Sequence, residues 1–368
     1  MDISLREKRL KILFFAAICI LILIVLVLLF GFNKDDKIKN SNIGFIMVSD
    51  HTNPDLDKFQ IESAKSICDG ANIKFFIKSD VKENSKYCME AVKELVNEGA
   101  EMIFIQSNYL PPLKNISRTY PNISFATNCQ YYQSKNMSSY AVRMYQGRFL
   151  AGALAGLRTK SNVIGYVASI STPEVNLEIN SFTLGVQHTN PNAKVVVAWT
   201  NAWKRPPREA ENTRRLVKEA HADVITYHQE DHIVADVAEE LNVEFIGYNA
   251  LLKNYSPKHL TSIVCRWDVY YREVIQNYLR GELNYFYNNW LDINTGAVIL
   301  TNYSDLVTPE MKMKIEVLRQ QMINGKNIFS GLIYDNEGNI RCAADETISD
   351  YALLKRTNWL VKGVQILE

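Results

Sequence analysis

The chain has 368 residues, 47% hydrophobic and 22% charged, with 41 basic and 40 acidic side chains, the proportions of a folded protein rather than a disordered tail. With charges that nearly cancel, it lacks the basic field that supplies much of the affinity for DNA or RNA, which argues against a nucleic-acid partner. Its apolar content is uneven: Ile12 to Phe32 holds no charged side chain, and at about 1.5 Å per helical residue that run spans roughly 31 Å, enough for a bilayer core, so a wholly soluble cytoplasmic enzyme is not expected.

In chain order, residues 1–11 form a short stub in which Arg6, Lys8, Arg9 and Lys11 face Asp2 and Glu7. This basic flank predicts a cytoplasmic N-terminus, a single membrane anchor at 12–32, a polar linker at 33–42 and an extracytoplasmic body beyond. A cleavable signal peptide and a lipidated Cys19 are the rival readings. The run is longer than a signal peptide's apolar region, and the bulky Ile18 precedes Cys19 where a small residue is expected.

The body alternates short apolar runs with amphipathic stretches. Ile43 to Val48 reads as a buried strand, Phe59 to Asp69 as a helix, and Ile73 to Ile77 as a second strand. Met89, Val92, Leu95 and Val96 recur at helical spacing up to Gly99, followed by a strand at Met102 to Ile105. Further strands are expected at Ile123 to Ala126, Val163 to Ala168, Val195 to Trp199, Val224 to Tyr227, Glu244 to Gly247 and Thr261 to Cys265. Gly147, Gly152 and Gly156 lie inside a helical stretch ending at Leu157, which favours close helix packing over a dinucleotide loop. This strand-helix repetition predicts an α/β protein with parallel sheets. About 336 residues beyond the apolar run exceed one core, so two lobes are expected.

No nucleophile elbow, Walker loop or His-Glu-x-x-His motif occurs, so neither a catalytic residue nor a cofactor is expected. His228 and His232 stand four apart, but they follow a strand, where a loop lining a ligand crevice is a better reading than a metal site. Five cysteines lie beyond the apolar run. Buried free thiols are the plain reading, a Cys68–Cys88 bridge the alternative. The carboxyl ends of parallel strands are where such sheets bind ligands. They collect Ser107, Asn108 and Tyr109; Pro173 and Glu174; Trp203; His228; Asn249; and Trp267 with Asp268, to which Phe59 is added from the first loop and helix. Flat aromatic faces with amides and carboxylates suit a small planar, polar ligand.

Gly147-Arg148-Phe149-Leu150-Ala151-Gly152, Ile164-Gly165-Tyr166-Val167-Ala168, Phe182-Thr183-Leu184-Gly185-Val186 and Trp199-Thr200-Asn201-Ala202-Trp203 closely resemble the BMP, or basic membrane protein, family. Ile328-Phe329-Ser330-Gly331, Asp335-Asn336-Glu337-Gly338 and Asn358-Trp359 extend the likeness over nearly all of residues 43 to 368. The resemblance implies a type I periplasmic-binding-protein fold: two doubly wound lobes joined by a hinge, 43–143 with 264–300 and 144–263 with 301–368. It also implies a purine base or nucleoside as ligand and an ABC permease as partner. Nucleoside-binding members carry an acidic residue after the strand that here ends in Tyr248-Asn249, and Arg266-Trp267-Asp268 looks more like the branch that holds a free base. Some relatives resemble membrane-anchored sensors, an alternative role; a nucleoside hydrolase is a remoter one.

Overall fold

The computed structural model describes residues 42–47, 54–82, 84–106, 110–128, 134–249, 251–252, 254–283 and 288–368. Residues 41–274 with 284–368 form one compact unit, and 275–283 belong to a second. That second piece holds the end of a helix and a turn at Gly281, whose amide donates to the Tyr278 carbonyl. Among the described residues no helix is long and apolar enough to cross a membrane. The Ile12–Phe32 run, and the anchor expected there, lie outside the described residues.

The first sheet contains β1 (Asn42–Met47), β2 (Phe75–Lys78), β3 (Ala100–Gln106), β4 (Ser124–Thr127), β5 (Met137–Val142) and β11 (Asn288–Leu291), in the order β11-β5-β4-β3-β1-β2. All its pairings are parallel. Helices α1 (Pro54–Gly70), α2 (Ser85–Asn97) and α3 (Leu110–Thr119) connect its strands. The second sheet contains β6 (Val163–Ala168), β7 (Lys194–Trp199), β8 (Val224–His228), β9 (Glu244–Tyr248), β10 (His259–Cys265), β12 (Val298–Leu300) and β15 (Val364–Ile366), in the order β12-β10-β9-β8-β6-β7-β15. Only β12 runs antiparallel, against β10. Its helices include α4 (Met144–Arg158), α5 (Pro173–Thr189), α6 (Pro206–Lys218) and α7 (Ile233–Glu240).

Strands such as β6, buried along its whole length, are apolar without alternation because helices cover both faces of a parallel sheet. In each sheet the chain steps outward in one direction, then returns to the other side of its first strand. The reversal falls between β1 and β3 in the first sheet and between β6 and β8 in the second. Such a reversal leaves a crevice at the carboxyl ends of those strands.

The chain passes between the sheets at three places among the described residues: after β5, after β10 into α8 (Trp267–Leu279), and between β11 and β12. The carboxyl-terminal tail returns to the second sheet. Asn180 donates to the Trp359 carbonyl at 3.0 Å and accepts from the Val361 amide at 2.7 Å, and β15 then pairs with β7.

Helices α4 and α5 pack backbone against backbone. A Cβ on Gly152 would lie 1.9 Å from the Phe182 carbonyl oxygen, and one on Gly185 2.0 Å from that of Phe149. The glycines of this stretch are therefore packing residues, as their place inside a helix implied. The four cysteines among the described residues, Cys68, Cys88, Cys265 and Cys342, are free and buried, so the alternative of a Cys68–Cys88 bridge is not realised.

Candidate functional site

The second sheet's crevice begins where β6 ends. Ser169 is buried, and after a short loop Thr172 caps α5, its hydroxyl accepting the Val175 amide. Pro173 takes the first helical position, where its missing N–H costs nothing. Glu174 follows in the first turn, and Glu178 lies one turn further.

Glu178 is 2% exposed and Arg148, from α4, is fully buried. Arg148 Nε donates to Glu178 Oε2 at 2.8 Å and Nη2 to the Tyr227 carbonyl at 3.0 Å. The guanidinium also lies 4.1 Å from the Tyr248 ring centre and 5.2 Å from that of Tyr166. Burial works against its charge, but Tyr166, Glu178 and Tyr248 outweigh that and raise its pKa. A buried pair survives desolvation only when its remaining hydrogen-bonding capacity is met, as it is here by the β8 backbone.

His228 ends β8 beside this pair. Its Nδ1 is 3.4 Å from Glu178 Oε2, and its ring centre is 4.4 Å from Tyr248 and 6.0 Å from Trp203. Burial, assisted by Arg148 and opposed by Glu178, lowers its pKa to about 4, so the contact with Glu178 is that of a neutral imidazole and not an ion pair. Glu174, in the first turn of α5, is exposed, although protein crowds its carboxyl. That crowding, with a push from Glu178 and relief from Lys355, raises its carboxyl to about 7.

Two loops border these groups. Trp203, 39% exposed, follows β7, and its carbonyl accepts the Glu230 amide at 3.3 Å. Buried Gln229 donates to Thr200 Oγ1 at 2.9 Å. Its Oε1, like Ser169 Oγ, is buried without a hydrogen-bond partner, and buried polar atoms of that kind call for an explanation. Asn249 sits in the left-handed region at φ +44, and its Oδ1 accepts the Cys265 amide at 3.1 Å, which ties β9 to the second crossing. Across that crossing, Trp267 meets Tyr140 edge-on at 5.3 Å, and Asp268 takes two bonds of 2.7 Å from Arg266. Cys265 between them is close enough to Asp268 and Glu178 for both, after burial, to push its thiol pKa up.

Of the residues expected at the site, Glu174, Trp203, His228 and Asn249 thus gather at the strand ends of the second sheet, Pro173 sets the start of α5, and Trp267 and Asp268 stand at the adjoining crossing. Ser107, Asn108 and Tyr109 lie outside the described residues, as does the side chain of Phe59 on α1. His232 caps α7 and its ring faces Tyr255 at 6.3 Å; His228 belongs to a strand, so the two imidazoles do not share a helix face. The Arg148–Glu178 pair was not anticipated. Its signal was a lone cation inside an otherwise uncharged apolar stretch, which requires a buried partner. A separate cavity of ≈ 800 Å³, lined by Leu252, His259 and Tyr303 among others, opens toward the amino end of β10 and shares none of these residues.

Two parallel α/β sheets, each with a reversal in strand order and joined by three crossings among the described residues, match the type I periplasmic-binding-protein fold. Solved structures agree: a transcriptional activator of the comK gene from Bacillus halodurans superposes with a TM-score of 0.70 at 21% identity, covering 77% of this chain and 98% of that one. A solute-binding protein of an ABC transporter system from Conexibacter woesei gives 0.66 at 14% identity, covering 77% and 97%. Residues 44–331 match the Bmp family, described as ABC transporter substrate-binding protein PnrA-like, and the chain belongs to that family. Among curated relatives, a purine-binding protein of Brucella abortus is 29% identical over 276 residues, 74% of this chain and 78% of that one. A transcriptional activator protein of Bacillus subtilis is 23% identical, over 67% and 77%.

Proposed function

We propose that the protein is a membrane-tethered, extracytoplasmic receptor that captures a purine base, or failing that a nucleoside, and hands it to an ABC permease without covalent chemistry. The observation that carries this reading is the strand-end group of the second sheet: an accessible indole, Trp203, 6.0 Å from the buried His228 ring, which in turn lies 4.4 Å from Tyr248, with the carboxyl of Glu174 in the first turn of α5. A neutral heteroaromatic ring uses such a set, with stacking for area and mixed donors and acceptors for its edge. The likeness to the Brucella purine-binding protein supports the ligand class. Trp267, Asp268 and the strand-end residues Asn108 and Tyr109 complete the proposed cleft, which the two lobes close by a hinge motion. The Ile12–Phe32 run serves as tether.

Calorimetric titration of the full-length chain with adenine, hypoxanthine, adenosine and inosine tests the ligand. Micromolar or tighter binding of one of them is expected, and no heat from any at millimolar concentration refutes the reading. Retention of the chain in washed membranes tests the tether; release by high salt argues against it.

The second reading, a tethered sensor of the same ligand, is favoured by the two activator relatives from Bacillus. Deleting the protein itself separates the roles: purine uptake falls if it serves transport, whereas loss of a sensor leaves uptake by the permease intact and changes transcription.

A further inference from the structure

We infer that His228 is a hydrogen-bond acceptor of the site: Glu178 holds its proton on Nδ1, which leaves Nε2 as the bare nitrogen, and the ligand meets it with a ring N–H. This deepens the purine reading and rests on it for the identity of the ligand. The tautomer follows from the surroundings of Nδ1, which is sealed from solvent with Glu178 Oε2 as the polar atom facing it at 3.4 Å. A lone pair on Nδ1 would point at a carboxylate oxygen and be repelled; an N–H would be attracted. The contact is too long and off-line to count as a made hydrogen bond, and it shortens when a ligand draws on the other nitrogen, because the two ring nitrogens of imidazole are coupled.

Arg148 secures the arrangement from the other side. By donating to the same Oε2 at 2.8 Å, it keeps Glu178 oriented, and its own charge beside the ring disfavours a second proton on the imidazole. Nδ1 being sealed, the 6% of the His228 side chain that remains accessible lies on its other atoms, and the ring neighbours are Tyr248 and Trp203. Among the described residues Nε2 has no hydrogen-bond partner. At the neighbouring strand end Asn249 Oδ1 already accepts the Cys265 amide, while Gln229 Oε1 and Ser169 Oγ remain as further buried acceptors beside His228. A site built to accept an N–H discriminates strongly against a ligand that lacks it, since a buried acceptor is then left unpaired.

Nitrogen-15 NMR of the histidines in the free, full-length protein reads the tautomer directly. The expected result is Nδ1 protonated and Nε2 bare for His228, with the Nε2 signal moving on addition of hypoxanthine. A proton on Nε2 overturns the inference. Titration with hypoxanthine and its 1-, 7- and 9-methyl derivatives supplies the second arm. In the wild type, methylation at one ring nitrogen is expected to weaken binding more than tenfold. In His228→Leu the parent base binds more than tenfold more weakly and the methylation penalty falls below threefold, while His228→Gln, whose amide oxygen can accept, keeps most of the affinity. Unchanged hypoxanthine binding in a folded His228→Leu protein refutes the role of His228 and leaves the purine reading standing. No purine binding by the wild type refutes the purine reading and the ligand half of the inference together; the NMR measurement still decides the Glu178 half.

Discussion

The two sheets share parallel strands and a reversal point, yet they are filled in opposite ways. Behind the first, Phe45 stacks on Phe104 at 4.5 Å, both meet Tyr271 edge-on, and Tyr140 stacks on Tyr270 at 4.0 Å. Behind the second, an arginine and a glutamate are buried beside tyrosines and a neutral histidine. Aromatic packing gains free energy from area and tolerates small shifts; a buried ion pair gains little net and tolerates none. The aromatic interior of the first sheet is therefore indifferent to charge, while the second carries polar groups whose positions matter more than their stabilisation.

Substitutions test that contrast, beginning with the largest expected effect. Gly152→Val drives side-chain atoms into the Phe182 backbone and should abolish accumulation of folded protein, seen as loss of a cooperative melting transition. Arg148→Met leaves Glu178 buried without its partner and should cost ~3–5 kcal/mol in urea unfolding, with much of the loss regained in Arg148→Met/Glu178→Met. Equal losses in the single and double variants would show that packing, not charge, governs this half. Phe104→Leu, in the other half, should cost ~1–2 kcal/mol and leave purine affinity unchanged; a large drop in affinity would erase the contrast.

Acid titration extends the comparison. Folded His228 stays neutral down to about pH 4, whereas an unfolded histidine takes its proton near 6.5. Between those values the unfolded chain binds more protons, so stability falls as pH drops through that window, by at most ~1.4 kcal/mol per pH unit from this residue. His228→Gln should flatten that slope. Glu174 has the opposite sign: folded, it keeps its proton up to about 7 against an ordinary 4.5, so its contribution is lost as pH rises from 4.5 to 7. Glu209, raised to about 8 by burial and Asp231, acts in the same direction. The readout for Glu174→Gln is thus the small difference in slope from wild type.

The second sheet's inner strands were legible because burial on both faces writes them as unbroken apolar runs, and Val163–Ala168 needed no adjustment. β5 was missed: Met137-Ser138-Ser139-Tyr140 is half polar, and its serines are buried in the sheet rather than turned to water. The Asn288–Leu291 and Val298–Leu300 strands are too short to show a period, and tertiary pairing alone creates them. α1 begins at Pro54, five residues before the apolar pattern that marked it, because a first turn built of Pro54, Asp55 and Asp57 shows no hydrophobic spacing. Strand-end position anticipated that Glu174, Trp203 and His228 lie at the same end of the second sheet. It could not reveal that Asn249 spends its oxygen on Cys265, or that Arg148 reaches the crevice from a helix, since both depend on contacts distant in sequence.

The buried thiols carry a further consequence. Burial pushes Cys68 and Cys88 up to about 12, and Cys265 and Cys342 upward as well, so each is held as the unreactive thiol at neutral pH. Oxidants, alkylating reagents and exchange with small disulfides all need the thiolate and a path to it. At these four positions the folded chain is chemically inert, and none of the four needs an oxidising step to reach its folded state. These four should resist alkylation in the folded protein and react once it is unfolded in urea, whether the surroundings are reducing or aerated.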